Sequence, residues 1–130
     1  MSVLSRILQA KRGEIAALPS REPLAAPPPR DVAKALWRAQ GEPLRLLTEV
    51  KFRSPSAGPL DRTLDATGRA LAYGRGGAAL ISVLCDGPFF DGSYADLAAA
   101  RRALDAEGLA VPLLAKEVIL DRRQLVLARE

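Results

Sequence analysis

The stretch Ala78-Ala79-Leu80-Ile81-Ser82-Val83-Leu84 decides the architecture of this chain. Side chains alternate between the two faces of a strand, and here both faces are apolar apart from one serine. A strand with no wet face belongs under helices, in a parallel sheet. Two more short apolar runs lie on either side of it. Residues 45–51 hold Leu46-Leu47-Thr48-Glu49-Val50-Lys51, and residues 111–116 hold Pro112-Leu113-Leu114-Ala115-Lys116. The strand starts recur about every thirty residues, the size of a β-α-β unit.

Helical patterns fill the intervals. Ala66, Ala70 and Tyr73 share one face of a helix expected over 63–75 and ended by Gly76-Gly77. Ser93, with Asp96 three residues on, opens a helix over 94–107. Its Leu97, Ala100 and Leu104 face the core, and Gly108 stops it. Asp121 caps a last helix, still running at Glu130. Ahead of the first strand, Val3, Leu4, Ile7, Leu8, Ile15 and Leu18 mark a helix over 2–18, with Lys11, Arg12 and Glu14 between them. A stiff connector, Pro23 to Pro29, follows. Asp31 then caps a short helix over 32–40, ended by Gly41. The chain thus divides into an N-terminal helical extension with its connector, 1–43, and three β/α units, 44–130.

The fold class is α/β. Both a doubly wound sheet and a (β/α)8 barrel fit the pattern. A barrel ordinarily takes about 250 residues, so a TIM-barrel reading makes this chain incomplete, with about three strands plus the N-terminal extension.

Composition narrows the chemistry. The chain has 130 residues, 48% of them hydrophobic, and a net charge of +4. The charge is dispersed, and the pairs Arg101-Arg102 and Arg122-Arg123 fall in expected helices, so no nucleic-acid partner is expected. An anionic small molecule suits such a balance. No apolar run approaches the roughly 18–20 residues of a membrane span, and Met1 to Arg6 lack the pattern of a secretory signal. A cytoplasmic protein without a membrane partner is expected. With one cysteine, Cys85, there is no internal disulfide and no zinc cluster. With no histidine there is no Ser-His-Asp triad or Cys-His pair, so proton transfer falls to Lys, Glu, Asp, Tyr or Cys.

Two strands end on a lysine. Glu49 and Lys51 are two apart and share a strand face. Two readings stand for them: a buried salt bridge, or a pair used for substrate binding and proton transfer. Lys116 shares a face with Leu114. If strands one and three point inward at one level, Lys51 and Lys116 converge on an anion site; otherwise Lys116 snorkels from a strand end. The turn-rich Arg53-Ser54-Pro55-Ser56-Ala57-Gly58-Pro59 suits wrapping a polar substrate group. Phe89 and Phe90 either cover a helix–sheet junction or pack on a substrate ring.

These motifs resemble indole-3-glycerol-phosphate synthase, a TIM-barrel enzyme of tryptophan biosynthesis. The first strand and its loop carry Glu49-Val50-Lys51-Phe52-Arg53-Ser54-Pro55-Ser56-Ala57-Gly58, similar to the family's Glu-x-Lys-x-x-Ser-Pro-Ser-x-Gly. Phe90-Asp91-Gly92-Ser93 is similar to its Phe-x-Gly-Ser, and Pro112 to Ile119 to its Pro-x-Leu-x-Lys-Asp-Phe-Ile. The resemblance covers essentially the whole chain, as the N-terminal portion of such an enzyme. It departs at Glu117, where the family has Asp, at Val118, where it has Phe, and at Phe52, where a basic residue is common.

The resemblance implies a carboxy-lyase. Its reaction closes an indole ring on 1-(2-carboxyphenylamino)-1-deoxyribulose 5-phosphate, with loss of carbon dioxide and water and with no cofactor or metal. It implies Lys116 as general acid, Lys51 as holder of the substrate carboxylate and helper in dehydration, and Glu49 as partner of Lys51 and of substrate hydroxyls. Ser54, Pro55, Ser56 and Phe90 line the substrate site. The phosphorylated substrate is the expected partner, with the remaining barrel half or neighbouring pathway enzymes beside it. The family's second catalytic glutamate and its phosphate loops belong to later strands, so a three-strand chain is expected to be inactive alone. The alternative is a non-catalytic half-barrel remnant or interaction module.

Overall fold

The computed structural model describes residues 1–22 and 28–129. Most of the proline-rich connector, residues 23–27, and the expected continuation of the last helix at Glu130 therefore lie outside the described residues. In chain order the elements are α1 Val3–Ala16, α2 Val32–Leu36, β1 Leu47–Val50, β2 Arg53–Ser54 and β3 Gly58–Pro59. There follow α3 Ala66–Arg75, β4 Leu80–Leu84, α4 Gly87–Phe90, α5 Tyr94–Ala106, β5 Leu113–Lys116 and α6 Arg122–Arg129.

β1, β4 and β5 form a parallel sheet in that order, so the strand order never reverses among the described residues. This is the arrangement of one wall of a (β/α)8 barrel. The central strand, β4, is buried throughout, as its two apolar faces require. One face of the sheet packs on α3 and α5, which also pack on each other. That layer holds Val50, Ile81 and Val83 with Ala70, Ala100 and Leu104 from the helices. Small residues at positions 66, 70 and 74 bring α3 close to α5. A methyl group added at Gly74 would stand 2.8 Å from the Leu104 side chain.

The opposite face carries Leu47, Glu49, Ser82, Leu114 and Lys116, at alternate positions of adjacent strands. Leu47 and Leu114 on this face are exposed.

The capping residues set where helices begin. Asp65 Oδ1 accepts the Gly68 N–H at 2.7 Å, so α3 starts at 66 instead of 63. Ser93 Oγ accepts the Asp96 N–H, the N-cap read from the sequence, and donates its own proton to Asp96 Oδ2. Asp121 Oδ1 accepts the Arg123 N–H at the head of α6.

Elsewhere the boundaries move. α1 ends at Ala16, two residues early. α2 stops at Leu36 because Trp37 turns to an extended conformation (φ −61, ψ 138). Ala39 N–H then bonds Glu42 Oε2, and Gly41, at φ +86, serves that turn instead of stopping the helix. The strands β1 and β5 are shorter than expected, at 47–50 and 113–116. Two segments read as loops contain short elements: the β2–β3 hairpin and α4, which Asp86 caps and Pro88 opens.

Candidate active site

The carboxyl ends of the three parallel strands meet at one rim, where barrel enzymes carry their chemistry. β1 delivers Glu49 and, one residue past its end, Lys51. β5 ends on Lys116. Lys51 Nζ lies 2.7 Å from Glu49 Oε1. Lys116 Nζ bonds the other oxygen, Glu49 Oε2, reaching across β4 to do so. The two lysines converge on the two oxygens of one carboxylate.

Exposure distinguishes this cluster from an ordinary buried bridge. The side chains of Glu49, Lys51 and Lys116 are 25%, 34% and 53% exposed. Partial burial alone would raise the Glu49 acid. Hydrogen bonds from Lys116 and Lys51, and their charges, outweigh it and hold Glu49 below the ordinary carboxylate range. The arrangement is a paired, ionised, half-solvated triad whose ammonium groups remain within reach of an incoming anion.

The other expected site residues sit nearby in sequence but bond locally. Ser54 Oγ accepts the Ala57 N–H at 3.0 Å and lies 3.4 Å from Ser56 Oγ, so the two serines and Pro55 shape the β2–β3 turn. Ser54 is half-buried, whereas Pro55 and Ser56 are exposed. Phe90, half-buried, ends α4, and its N–H bonds Asp86 Oδ2 at 3.2 Å. Phe89 lies under the Arg6 guanidinium, 6.0 Å from its ring centre, and so faces α1. Phe52 points away from Lys51 into the core, with Arg62 and Arg69 over its ring at 4.9 and 5.0 Å.

The loops of the rim are tied together. Asp91 has φ +53, a left-handed conformation, and receives Arg62 at 3.0 Å and Arg53 at 3.7 Å. Gly92 crosses the end of β4 so closely that a Cβ there would lie 2.0 Å from the Leu84 carbonyl oxygen. Only glycine fits.

One rim residue escaped the sequence reading. Lys11, placed there among the charged residues between apolar positions, is buried to 1%. Its Nζ meets Asp86 Oδ1 at 2.7 Å, Glu14 Oε2 at 2.8 Å and Glu117 Oε2 at 3.0 Å. Burial works to lower its pKa, but the bonds to Asp86, Glu14 and Glu117 prevail and raise it. A signal was present: Ile7, Lys11 and Ile15 lie four apart, on one stripe of the helix, and the two isoleucines are buried.

Beside this cluster Cys85 is buried. Burial pushes its thiol up to about 12, helped by the charges of Glu117 and Asp96. It is a packing residue, not a nucleophile. Among the described residues no group of three or more His, Cys, Asp or Glu side chains is arranged to hold a metal ion. No helix among them is long and apolar enough to cross a membrane. A cavity of about 670 Å³ lies on the helix side, bordered by Arg30, Tyr94, Arg101 and Leu127, and none of Glu49, Lys51 or Lys116 lines it.

Comparison with known proteins places this geometry in context. The family model described as indole-3-glycerol phosphate synthase matches residues 4–130. The indole-3-glycerol phosphate synthase of Exiguobacterium sibiricum is 36% identical over 130 residues, covering 99% of this chain and 48% of the relative. That of a Roseiflexus species is 41% identical over 137 residues, covering 98% and 50%. That of Rippkaea orientalis is 43% identical over 103 residues, covering 79% and 33%. The chain spans about half the length of most of these relatives.

Proposed function

Because the chain belongs to the indole-3-glycerol phosphate synthase family, we propose that it supplies the lysine-bearing wall of a barrel that closes the indole ring. The substrate is 1-(2-carboxyphenylamino)-1-deoxyribulose 5-phosphate, and the reaction is that of a carboxy-lyase. The observation that carries this reading is the convergence of Lys51 and Lys116 on Glu49 at the carboxyl ends of the strands.

The chemistry follows from charge. As the ring carbon attacks the substrate carbonyl, its oxygen becomes an alkoxide and needs a positioned proton donor. Lys116 supplies the proton once the carbonyl oxygen has replaced Glu49 as its hydrogen-bond partner. Lys51 pairs with the substrate carboxylate until carbon dioxide leaves, then assists the loss of water. Glu49, ionised, holds both ammonium groups at the rim before substrate enters and afterwards meets its hydroxyls. Ser54, Pro55, Ser56 and Phe90 border the substrate. Val118 offers less apolar surface than the family's phenylalanine, and Phe90 supplies aromatic surface on the neighbouring strand's loop. The protein works among soluble metabolites of the cytoplasm, with no nucleic acid or membrane partner.

The test is a chimera. The 130 residues replace the matching segment of the Exiguobacterium sibiricum relative, and indole formation is followed by fluorescence. Turnover within about a hundredfold of the intact relative is expected, allowing for imperfect seams. A soluble, folded chimera without turnover would refute the reading. The 130-residue chain alone, with β1 and β5 as unpaired sheet edges among the described residues, is expected to show no measurable turnover.

A further inference from the structure

Lys11 takes no part in the proposed chemistry, yet it is the most completely enclosed charge of the rim. A lysine ammonium has three N–H donors, and here three carboxylates surround it. Two of them have a second task. Asp86 meets Lys11 through Oδ1, while its Oδ2 accepts the backbone N–H groups of Phe89 at 2.7 Å and Phe90 at 3.2 Å. Glu117 meets Lys11 through Oε2, while its Oε1 accepts the N–H of Val118 at 2.7 Å. Each carboxylate grips the helix α1 with one oxygen and the backbone just past a strand with the other. Among the described residues Glu14, on α1 itself, has no such second grip in the rim.

We propose that Lys11 is a positioning residue: from the N-terminal helix it fixes the backbone past β4 and β5, and so the placement of Phe90 and Lys116. Glu117 directly follows Lys116, and Phe90 closes the helix that Asp86 caps. A buried carboxylate deprived of its cation must find water or protonate, and either change loosens the amides it holds. The significance of Phe90 and Lys116 rests on the function proposed above; the fixing of the two segments does not.

Amide hydrogen exchange on the 130-residue chain tests the fixing without substrate. In Lys11→Met, the amides of Phe89, Phe90 and Val118 should gain at least ~10-fold more in exchange rate than those of Val83 and Leu104, whose rise reports only the global loss of stability. Glu14→Gln should leave all five unchanged. If Lys11→Met does not fold, Lys11→Arg keeps the charge on a larger planar head and should loosen the same three amides to a smaller degree. Unchanged exchange at the three amides, or an equal rise at all five, would overturn the proposal. In the chimera, Lys11→Arg should lower kcat by about tenfold with little change in KM, since a displacement near 1 Å is enough to slow a positioned proton transfer. An unchanged kcat there would also count against it. An inactive parent chimera would refute the function and leave the exchange result standing.

Discussion

Two lysines meet a glutamate at the same rim, and burial separates their fates. Lys11 is 1% exposed, and its ammonium lies within 3.0 Å of three carboxylates. Lys116 is 53% exposed and shares one carboxylate with Lys51. Enclosed, closely paired charges are costly to disturb, because removing one partner strands the others. Half-solvated charges trade partners with water or ligand at little cost. The same pair of residue types therefore makes a lock on α1 and an exchangeable site on β1 and β5.

The contrast is open to mutation. The largest effect is expected at the lock: Lys11→Met should lower stability to urea by about 3–5 kcal/mol, since Asp86 and Glu117 remain buried without their cation. A loss below about 1 kcal/mol would place this cluster in the same class as a surface bridge.

Next in size is the packing that aligns the rim loop. Gly92→Ala puts a methyl group against the Leu84 carbonyl and should cost about 1–3 kcal/mol, with perturbed backbone shifts at Leu84 and Cys85. Wild-type stability and shifts would mean that the loop gives way freely.

Glu49→Gln is expected to cost about 0–1 kcal/mol, and the cost should shrink in high salt. Its pH dependence has a definite sign. Glu49 is held below its ordinary value near 4.5, so its contribution is fully present above that pH and disappears as pH falls through the depressed folded value. Wild type and Glu49→Gln should differ at pH 6 and converge in that acid window. A difference that persists below it would assign the effect to packing.

How far residues alone led follows the same division. The wall of the barrel was legible because burial there is a matter of pattern. Both faces of 80–84 are apolar, and Leu97, Ala100 and Leu104 repeat at helical spacing and are the buried face of α5. The pairing of Glu49 with Lys51 was legible from strand alternation, because a strand has only two faces; that Lys116 meets the same carboxylate depended on strand order and level, which the structure supplies. The lock was not, because it joins residues 11, 86 and 117, which no local period connects. The hairpin at 53–59 and the one-turn α4 escaped for a different reason: each is too short to repeat a pattern. α2 ended early at Trp37, which turns extended, and bonds outside the helix take over: the Ala39 N–H to Glu42 Oε2 and Arg45 Nε to the Trp37 carbonyl.

The division of labour between the two lysines is tested most directly by Lys116→Met in the chimera, with unfolding and turnover measured on the same sample. Stability is expected to stay within about 1 kcal/mol of the parent while kcat falls about 10²–10⁴-fold, the range for a lost general acid. Retained turnover, or a stability loss as large as that expected for Lys11→Met, would contradict that division.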